Sequence, residues 1–240
     1  MYNEYKKWLE SDALDSESKA KLLAIKDDET AIAERFAVPM SFGTAGLRST
    51  MDVGISKMNI YTVGQTTQGL AELVISANGC EQGVAVCYDS RNNSELFAHT
   101  AASILTANGI KVYLFDGMRP TPELSFAILH YGCIAGINIT ASHNPKEYNG
   151  YKVYWNDGAQ LPPEHADVVS KSASDTDIFN GVKKISLDEA TEKGLLVIIG
   201  DECDEAFLKA VLDTRLDAEN TKKYGNEVGL AYTALHGTGY

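Results

Sequence analysis

Three short apolar runs, Val84–Tyr88, Ile110–Phe115 and Cys133–Ile139, constrain this chain more than any other feature, because each ends abruptly in polar residues. Runs of this length suit buried strands, and the segments between them, Ser94 to Ala107 and Thr121 to Tyr131, carry helical periodicity, the first closed by Asn108-Gly109. Strands alternating with helices predict an α/β fold: a mixed, largely parallel sheet sandwiched by helices. Ligands in such sheets bind beyond the carboxyl ends of the strands. Arg91, Arg119 and Ser142 all fall just past strand ends, so the pattern places them along one rim.

The third run delivers Ser142 to a polar stretch, Thr140-Ala141-Ser142-His143-Asn144-Pro145, which continues through Lys146 to Tyr148-Asn149-Gly150-Tyr151-Lys152-Val153-Tyr154. One hydroxyl thus has an imidazole, an amide and two ammonium groups close in sequence. A phosphoserine carries about −1.5 to −2 charges and three strong acceptor oxygens, so its loop must supply donors and cations. The bland alternative is a strand-to-turn connection with a capping Ser, an Asn-Pro turn and solvated lysines, and the composition alone leaves both open.

The whole string T-A-S-H-N-P followed by Y-N-G-Y-K-V-Y resembles the active-site serine loop of the α-D-phosphohexomutases, the phosphoglucomutase and phosphomannomutase family. The resemblance implies that Ser142 is phosphorylated in the resting enzyme and donates its phosphoryl group to a sugar phosphate. It implies that Lys152 takes part in proton transfer, and that His143 and Asn144 line the same site. Ser142 would also be a ligand of Mg²⁺, and glucose 1,6-bisphosphate would serve as activator.

Upstream, Ser41-Phe42-Gly43-Thr44-Ala45-Gly46-Leu47-Arg48 places two glycines around a threonine and ahead of an arginine. Gly permits close backbone approach and Arg can fork onto phosphate, yet a glycine-bearing hairpin with an incidental Arg reads equally from the bare pattern. F-G-T-A-G-L-R resembles the N-terminal signature of the branch of the same family that includes phosphopentomutases, which implies site positions for Thr44 and Arg48. Ser49 stands where relatives usually carry Gly. For Arg91, expected to bind substrate, and for Arg119 alike, the alternative is a surface ion pair or loop anchor. His99 and His130 read as ordinary helix-face residues.

Composition bounds the partners. With 33 Asp and Glu against 21 Lys and Arg, the net charge is −12, which argues against a nucleic-acid partner or an anionic membrane surface and leaves a small anionic substrate open. Cys80, Cys87, Cys133 and Cys203 show no zinc-ligand or C-x-x-C spacing and read as reduced core thiols. The N-terminus is polar and charged where a secretory signal would be apolar, and Leu195 to Ile199 is far too short to span a bilayer, so a cytoplasmic location is expected.

The remaining segments complete the plan. Helices are expected over Asn3–Glu10, Ser16–Ile25 and Asp28–Phe36 as surface decoration with Trp8 and Leu9 inward, and over Asn59–Asn78. Asn149–Trp155 reads as a strand returning from the serine loop, Asn156-Asp157-Gly158 as a turn into a short strand Ala159–Leu161, and Glu164 as the start of another helix. Short elements at the sheet edge are expected over Lys183–Gly200. A boundary near residue 200 divides a serine-bearing domain, 1–202, from the start of a second, 203–240, with a helix at Cys203–Leu216, a polar linker at Thr221–Asn226 and a fresh strand at Val228–Thr233.

The resemblance covers nearly all of this chain and less than half of a typical family member; the D-G-D-x-D-R metal loop and the sugar-recognition loop of the family are not in it. The expected function is therefore that of the N-terminal part of a mutase interconverting sugar 1- and 6-phosphates, glucose foremost, inactive as this piece alone. The alternatives are phosphopentomutase or phosphomannomutase activity, a non-catalytic phosphosugar- or protein-binding module, and a serine phosphatase or esterase, though no G-x-S-x-G elbow surrounds Ser142. Self-association through the strand at 228–233 is expected from its unpaired apolar edge.

Overall fold

Helices α1 (Tyr2–Glu10), α2 (Ser16–Ala24) and α3 (Glu29–Phe36) open the computed structural model, which describes residues 1–43, 46–235 and 237. Then come β1 (Gly46–Thr50), α4 (Ile60–Ser76), β2 (Val84–Tyr88), α5 (Ser94–Ala107), β3 (Val112–Phe115), α6 (Thr121–Tyr131), β4 (Ala135–Ile139) and β5 (Tyr148–Trp155). The series closes with α7 (Pro163–Asp175), α8 (Leu187–Glu192), β6 (Leu196–Ile199), α9 (Asp201–Asp213) and α10 (Ala218–Tyr224). The chain divides into two compact units, Met1–Gly200 and Asp201–Tyr240.

All six strands of the first unit join one sheet in the order β1-β5-β4-β2-β3-β6. β4, β2, β3 and β6 run parallel, whereas β5 is antiparallel to both β4 and β1. The expected mixed, largely parallel sheet is thus present. Every residue of β2 and β4 is buried, as strands covered on both faces require. On one face Tyr151 of β5 bonds Thr67 of α4, Oη to Oγ1 at 3.1 Å. On the other, a Cβ at Gly136 of β4 would lie 2.5 Å from Ile128 of α6, so only glycine lets that helix sit so close.

Local signals set the helix ends. Asn59 makes a capping box with Thr62 at the start of α4, Asp15 and Asp28 cap α2 and α3 through side-chain oxygens, and Gly132 ends α6 at a φ of 67°. The three N-terminal helices do more than decorate the surface. Tyr5, Trp8, Leu14, Leu22, Ile32 and Phe36 form their own apolar cluster with Val53 and Ile178, in which the fully buried Trp8 ring meets Phe36, Tyr61 and Phe179 edge-on. Leu9 is only partly buried.

Four features differ from the sequence reading. β1 had no sequence signal, because Gly46-Leu47-Arg48-Ser49-Thr50 has little apolar content; it becomes a strand by pairing along β5. The short strand at 159–161 reduces to one bridge, Tyr154 to Gln160. In the second unit the polar linker is largely helix α10, capped by Asp217, and Val228–Thr233 forms no strand. Leu230, Tyr232 and Leu235 are 86%, 70% and 82% exposed; a β-run with no neighbouring strand among the described residues has no ladder to join.

Candidate active site

β4 ends at Ile139, and the chain turns within three residues. Ser142 has a φ of 57°, a left-handed conformation that costs a non-glycine residue roughly 1–3 kcal/mol and persists only where surroundings enforce it. Its backbone N–H donates to Thr140 Oγ1 at 3.0 Å. Thr140 Oγ1 in turn donates to Asp89 Oδ2 at 2.6 Å, while Asp89 Oδ1 accepts from the Ser94 hydroxyl at 2.9 Å and from the Arg91 N–H at 3.0 Å. The turn after β2 thereby fixes the turn after β4, as the parallel register between the two strands allows.

Arg91 completes this lock. Its Nη2 donates to the carbonyl oxygens of Ser142 at 2.6 Å and Asn144 at 2.8 Å, and its Nη1 to those of Pro145 at 3.0 Å and Tyr148 at 3.2 Å. Nε lies 3.3 Å from Asp89 Oδ2. With both terminal nitrogens turned onto the loop backbone and Nε beside one carboxylate, Arg91 anchors the loop in this structure. Buried Asn149 adds a further tie, donating from Nδ2 to Asn92 O and Ser94 Oγ at 3.0 Å each and accepting the Gly150 N–H at 2.8 Å.

Held this way, the Ser142 side chain faces solvent, with His143 Nδ1 3.4 Å from its Oγ. Asn144 is bridged by Arg48, whose Nη1 donates to Asn144 Oδ1 at 3.2 Å across 96 residues. Arg48 lies on β1 opposite Gly150, and Lys152 lies on β5 opposite both Gly46 and Asn138. Strand alternation therefore puts Arg48, Lys152 and Asn138 on one sheet face. Lys152 makes no hydrogen bond or ion pair among the described residues. The expected set Ser142, His143, Asn144, Arg48 and Lys152 is thus gathered on one rim; Thr44 lies outside the described residues.

Sequence reasoning missed Asp89, Thr140 and Asn149. Their one visible signal is position, since Asp89 directly follows β2 and Thr140 directly follows β4. Arg119 pairs with Asp116 at 2.9 Å. His130 stacks on Phe126 within α6, and His99 lies on α5. Cys87, beneath the rim, donates its thiol to Arg119 O and is pushed up to about 12 by burial and by the Glu123 carboxylate, so it is an inert core thiol rather than a nucleophile.

The donor set does not complete the expected metal site. Among the described residues no group of three or more His, Cys, Asp or Glu is placed to hold a metal ion. Mg²⁺ needs near-octahedral oxygen coordination, and Ser142 Oγ is a single oxygen. These residues do not by themselves form a Mg²⁺ site. Among the described residues no helix is long and apolar enough to cross a membrane.

Comparison with known proteins agrees with the fold. Residues 39–178 match the family model described as phosphoglucomutase/phosphomannomutase, alpha/beta/alpha domain I. Over 201 residues the chain is 37% identical to a phosphoglucomutase of Staphylococcus saprophyticus, covering 83% of this chain and 35% of that protein. Over 175 residues it is 41% identical to a phosphopentomutase of Mus musculus, covering 69% of this chain and 28% of that protein. A solved structure from Thermus thermophilus, described as a phosphomannomutase, superposes with a TM-score of 0.54 at 29% identity, covering 64% of this chain and 34% of that one. A Burkholderia thailandensis phosphoglucomutase/phosphomannomutase family protein, at 20% identity and a TM-score of 0.54, shares the fold over 72% of this chain and 35% of that one. The chain spans about a third of the length of the curated relatives it matches.

Proposed function

The chain belongs to the phosphoglucomutase/phosphomannomutase family, and from that premise we propose that it carries the phosphoryl-bearing serine of a mutase interconverting sugar 1- and 6-phosphates, with glucose phosphates as substrates. The observation that supports this reading most directly is the exposed Ser142, held in a left-handed turn by Thr140 and Arg91 with Arg48 and Lys152 on the adjoining strands.

In the proposed transfer the phosphorus–oxygen bond to Ser142 breaks as another forms to a sugar hydroxyl. As the Ser142 oxygen leaves phosphorus it takes up a proton from the Lys152 ammonium while Nζ receives the sugar hydroxyl's proton, and the reverse step retraces this exchange. The sugar bisphosphate then reorients, and its other phosphoryl group re-forms the ester at Ser142. Arg48 and the Asn144 amide face the phosphoryl oxygens, where fixed donors stabilise charge without reorganising. His143 orients the seryl oxygen. Thr44 is proposed to bind substrate beside Arg48.

Mg²⁺ is proposed with Ser142 as this chain's oxygen donor, and none of these steps depends on it. Glucose 1,6-bisphosphate is the proposed activator, since it is the species that would phosphorylate Ser142. The four free cysteines support a reducing, cytoplasmic compartment. Spanning about a third of the length of its curated relatives, the 240-residue chain alone is proposed to show no mutase turnover.

The test is peptide mass analysis after incubation with glucose 1,6-bisphosphate and Mg²⁺, with and without the remainder of a relative supplied as a separate polypeptide. One phosphoryl group on Ser142 is expected in the supplemented sample. Label that persists elsewhere in Ser142→Ala would overturn the assignment, and robust interconversion of glucose phosphates by the chain alone would overturn its proposed inactivity.

A further inference from the structure

A cavity of about 510 Å³ is bounded by α4, the C-terminal half of α7 and the segment 39–55, a volume in the range of small-molecule sites. It is separate from the Ser142 rim. Leu47 reaches it from β1, opposite Tyr151, whose hydroxyl meets α4; by strand alternation Leu47 faces the helix layer and neighbouring Arg48 faces the other way. The walls are pinned. A Cβ at Gly69 of α4 would lie 2.7 Å from Val169 O and 2.9 Å from Ala173 N, so α4 and α7 touch almost backbone to backbone beside the cavity. Met40 N donates to Ile55 O at 3.0 Å, and Gln65 Nε2 to Thr176 O at 2.7 Å.

The lining joins two chemistries. Met40, Phe42, Leu47, Ile55 and Ile178 make its apolar part, and Thr66, Gln65 and Ser170 are polar. Thr66 is 5% exposed, and its hydroxyl makes no hydrogen bond among the described residues, whereas that of Thr67 beside it is bonded back to Val63 O at 2.8 Å. A polar group so deep in a fold is ordinarily paired, so Thr66 offers a ligand hydroxyl a place. Gln65, with its nitrogen spent on Thr176, presents Oε1, and the Ser170 hydroxyl is likewise uncommitted among the described residues. Glu4, Asp175 and Asp177 set three carboxylates against one ammonium, Lys7, which is already paired with Asp177 at 2.8 Å. That field opposes an anion.

We propose that this cavity binds an uncharged polyhydroxylated ring, an unphosphorylated hexopyranose, whose C–H face lies on Phe42 and Met40 and whose hydroxyls pair with Thr66, Ser170 and Gln65 Oε1. Sugar hydroxyls donate and accept at once, which suits two hydroxyls and one acceptor; the acidic lining turns phosphorylated sugars away. The inference goes beyond the mutase reading and does not rest on it, since none of Ser142, His143, Asn144 or Lys152 lines the cavity.

The test is titration of the intact, isotope-labelled 240-residue chain with methyl α-D-glucopyranoside, followed by amide chemical shifts. Saturable shifts are expected at residues 40–42, 62–66 and 170–178. Glucose 6-phosphate at the same concentrations should produce none there, whatever it does at the Ser142 loop. Thr66→Val, the isostere without the hydroxyl, is expected to weaken the glucoside by roughly three- to tenfold, the worth of one hydrogen bond. Should it fail to fold, Ser170→Ala, at a half-buried position of α7, is expected to weaken binding to the same degree. The proposal is overturned by the absence of saturable shifts at these residues, by an equal response there to glucose 6-phosphate, or by unchanged affinity in the folded variants. Adenosine shifting these amides where the glucoside does not would overturn it as well.

Discussion

The Arg91 guanidinium crosses 51 residues of sequence to place Nη2 2.6 Å from the Ser142 carbonyl oxygen, so the turn after one strand holds the turn that follows another. Arg91→Ala is expected to leave the sheet intact and free the loop, because only loop carbonyls and one carboxylate lose their partner. Hydrogen exchange should rise at residues 142–149, and Ser142 phosphoryl uptake should fall by at least about tenfold, on the scale set by roughly 1.4 kcal/mol of positioning. Arg91→Lys should not rescue it, since one ammonium cannot reproduce the planar fork.

Asp89 accepts from Thr140, Ser94 and the Arg91 backbone and lies against the Arg91 side chain. Removing it strands several donors together. Asp89→Ala is expected to cost about 3–5 kcal/mol in denaturant unfolding, the range for breaking a largely buried charge network. A loss below about 1 kcal/mol would show that the network is not what holds the turn.

A Cβ at Gly46 would sit 1.9 Å from the Tyr151 carbonyl oxygen, at a φ of 152°. Gly46→Ala should therefore unseat β1 from β5 and carry Arg48 away from Asn144, with a loss of more than about 4 kcal/mol in thermal unfolding if the rest of the sheet must also adjust. Retention of the Arg48 to Asn144 bond in a structure of the variant would contradict this.

Lys7 lies 2.8 Å from Asp177 and holds that carboxyl at about 2, below its ordinary value. A depressed carboxylate contributes stability above its unfolded-state value, near 4, and loses it as pH falls toward 2. Both groups are substantially exposed, so the contribution is below about 1 kcal/mol. Lys7→Met should therefore lower stability at pH 7 by less than about 1 kcal/mol, and the difference from wild type should shrink as pH falls from 4 toward 2, read from denaturant unfolding at each pH.

Because burial pushes Cys87 up to about 12, iodoacetamide at pH 8 should modify partly exposed Cys80 first and reach Cys87 only after unfolding. Peptide mapping of the native and denatured chain checks the order.

Association is expected to depend on the exposed run Val228–Leu235. Sedimentation over a range of concentrations should show self-association that deletion beyond Asn226 removes; a monomer at every concentration would end that proposal.

The local order of the chain was legible in its sequence. Apolar runs of strand length at 84–88 and 133–139, the Asn59 cap of α4 and the serine loop after β4 all follow from short-range sterics, periodicity and turn chemistry, and each stands where those forces place it. Other features depended on contacts between distant residues. β1 is a strand because Gly46 can approach β5, and Arg91 serves the loop because the parallel register of β2 and β4 sets their turns side by side. Val228–Thr233 has strand composition and no strand, since a β-strand is completed by hydrogen bonds to a neighbour that its own sequence does not contain.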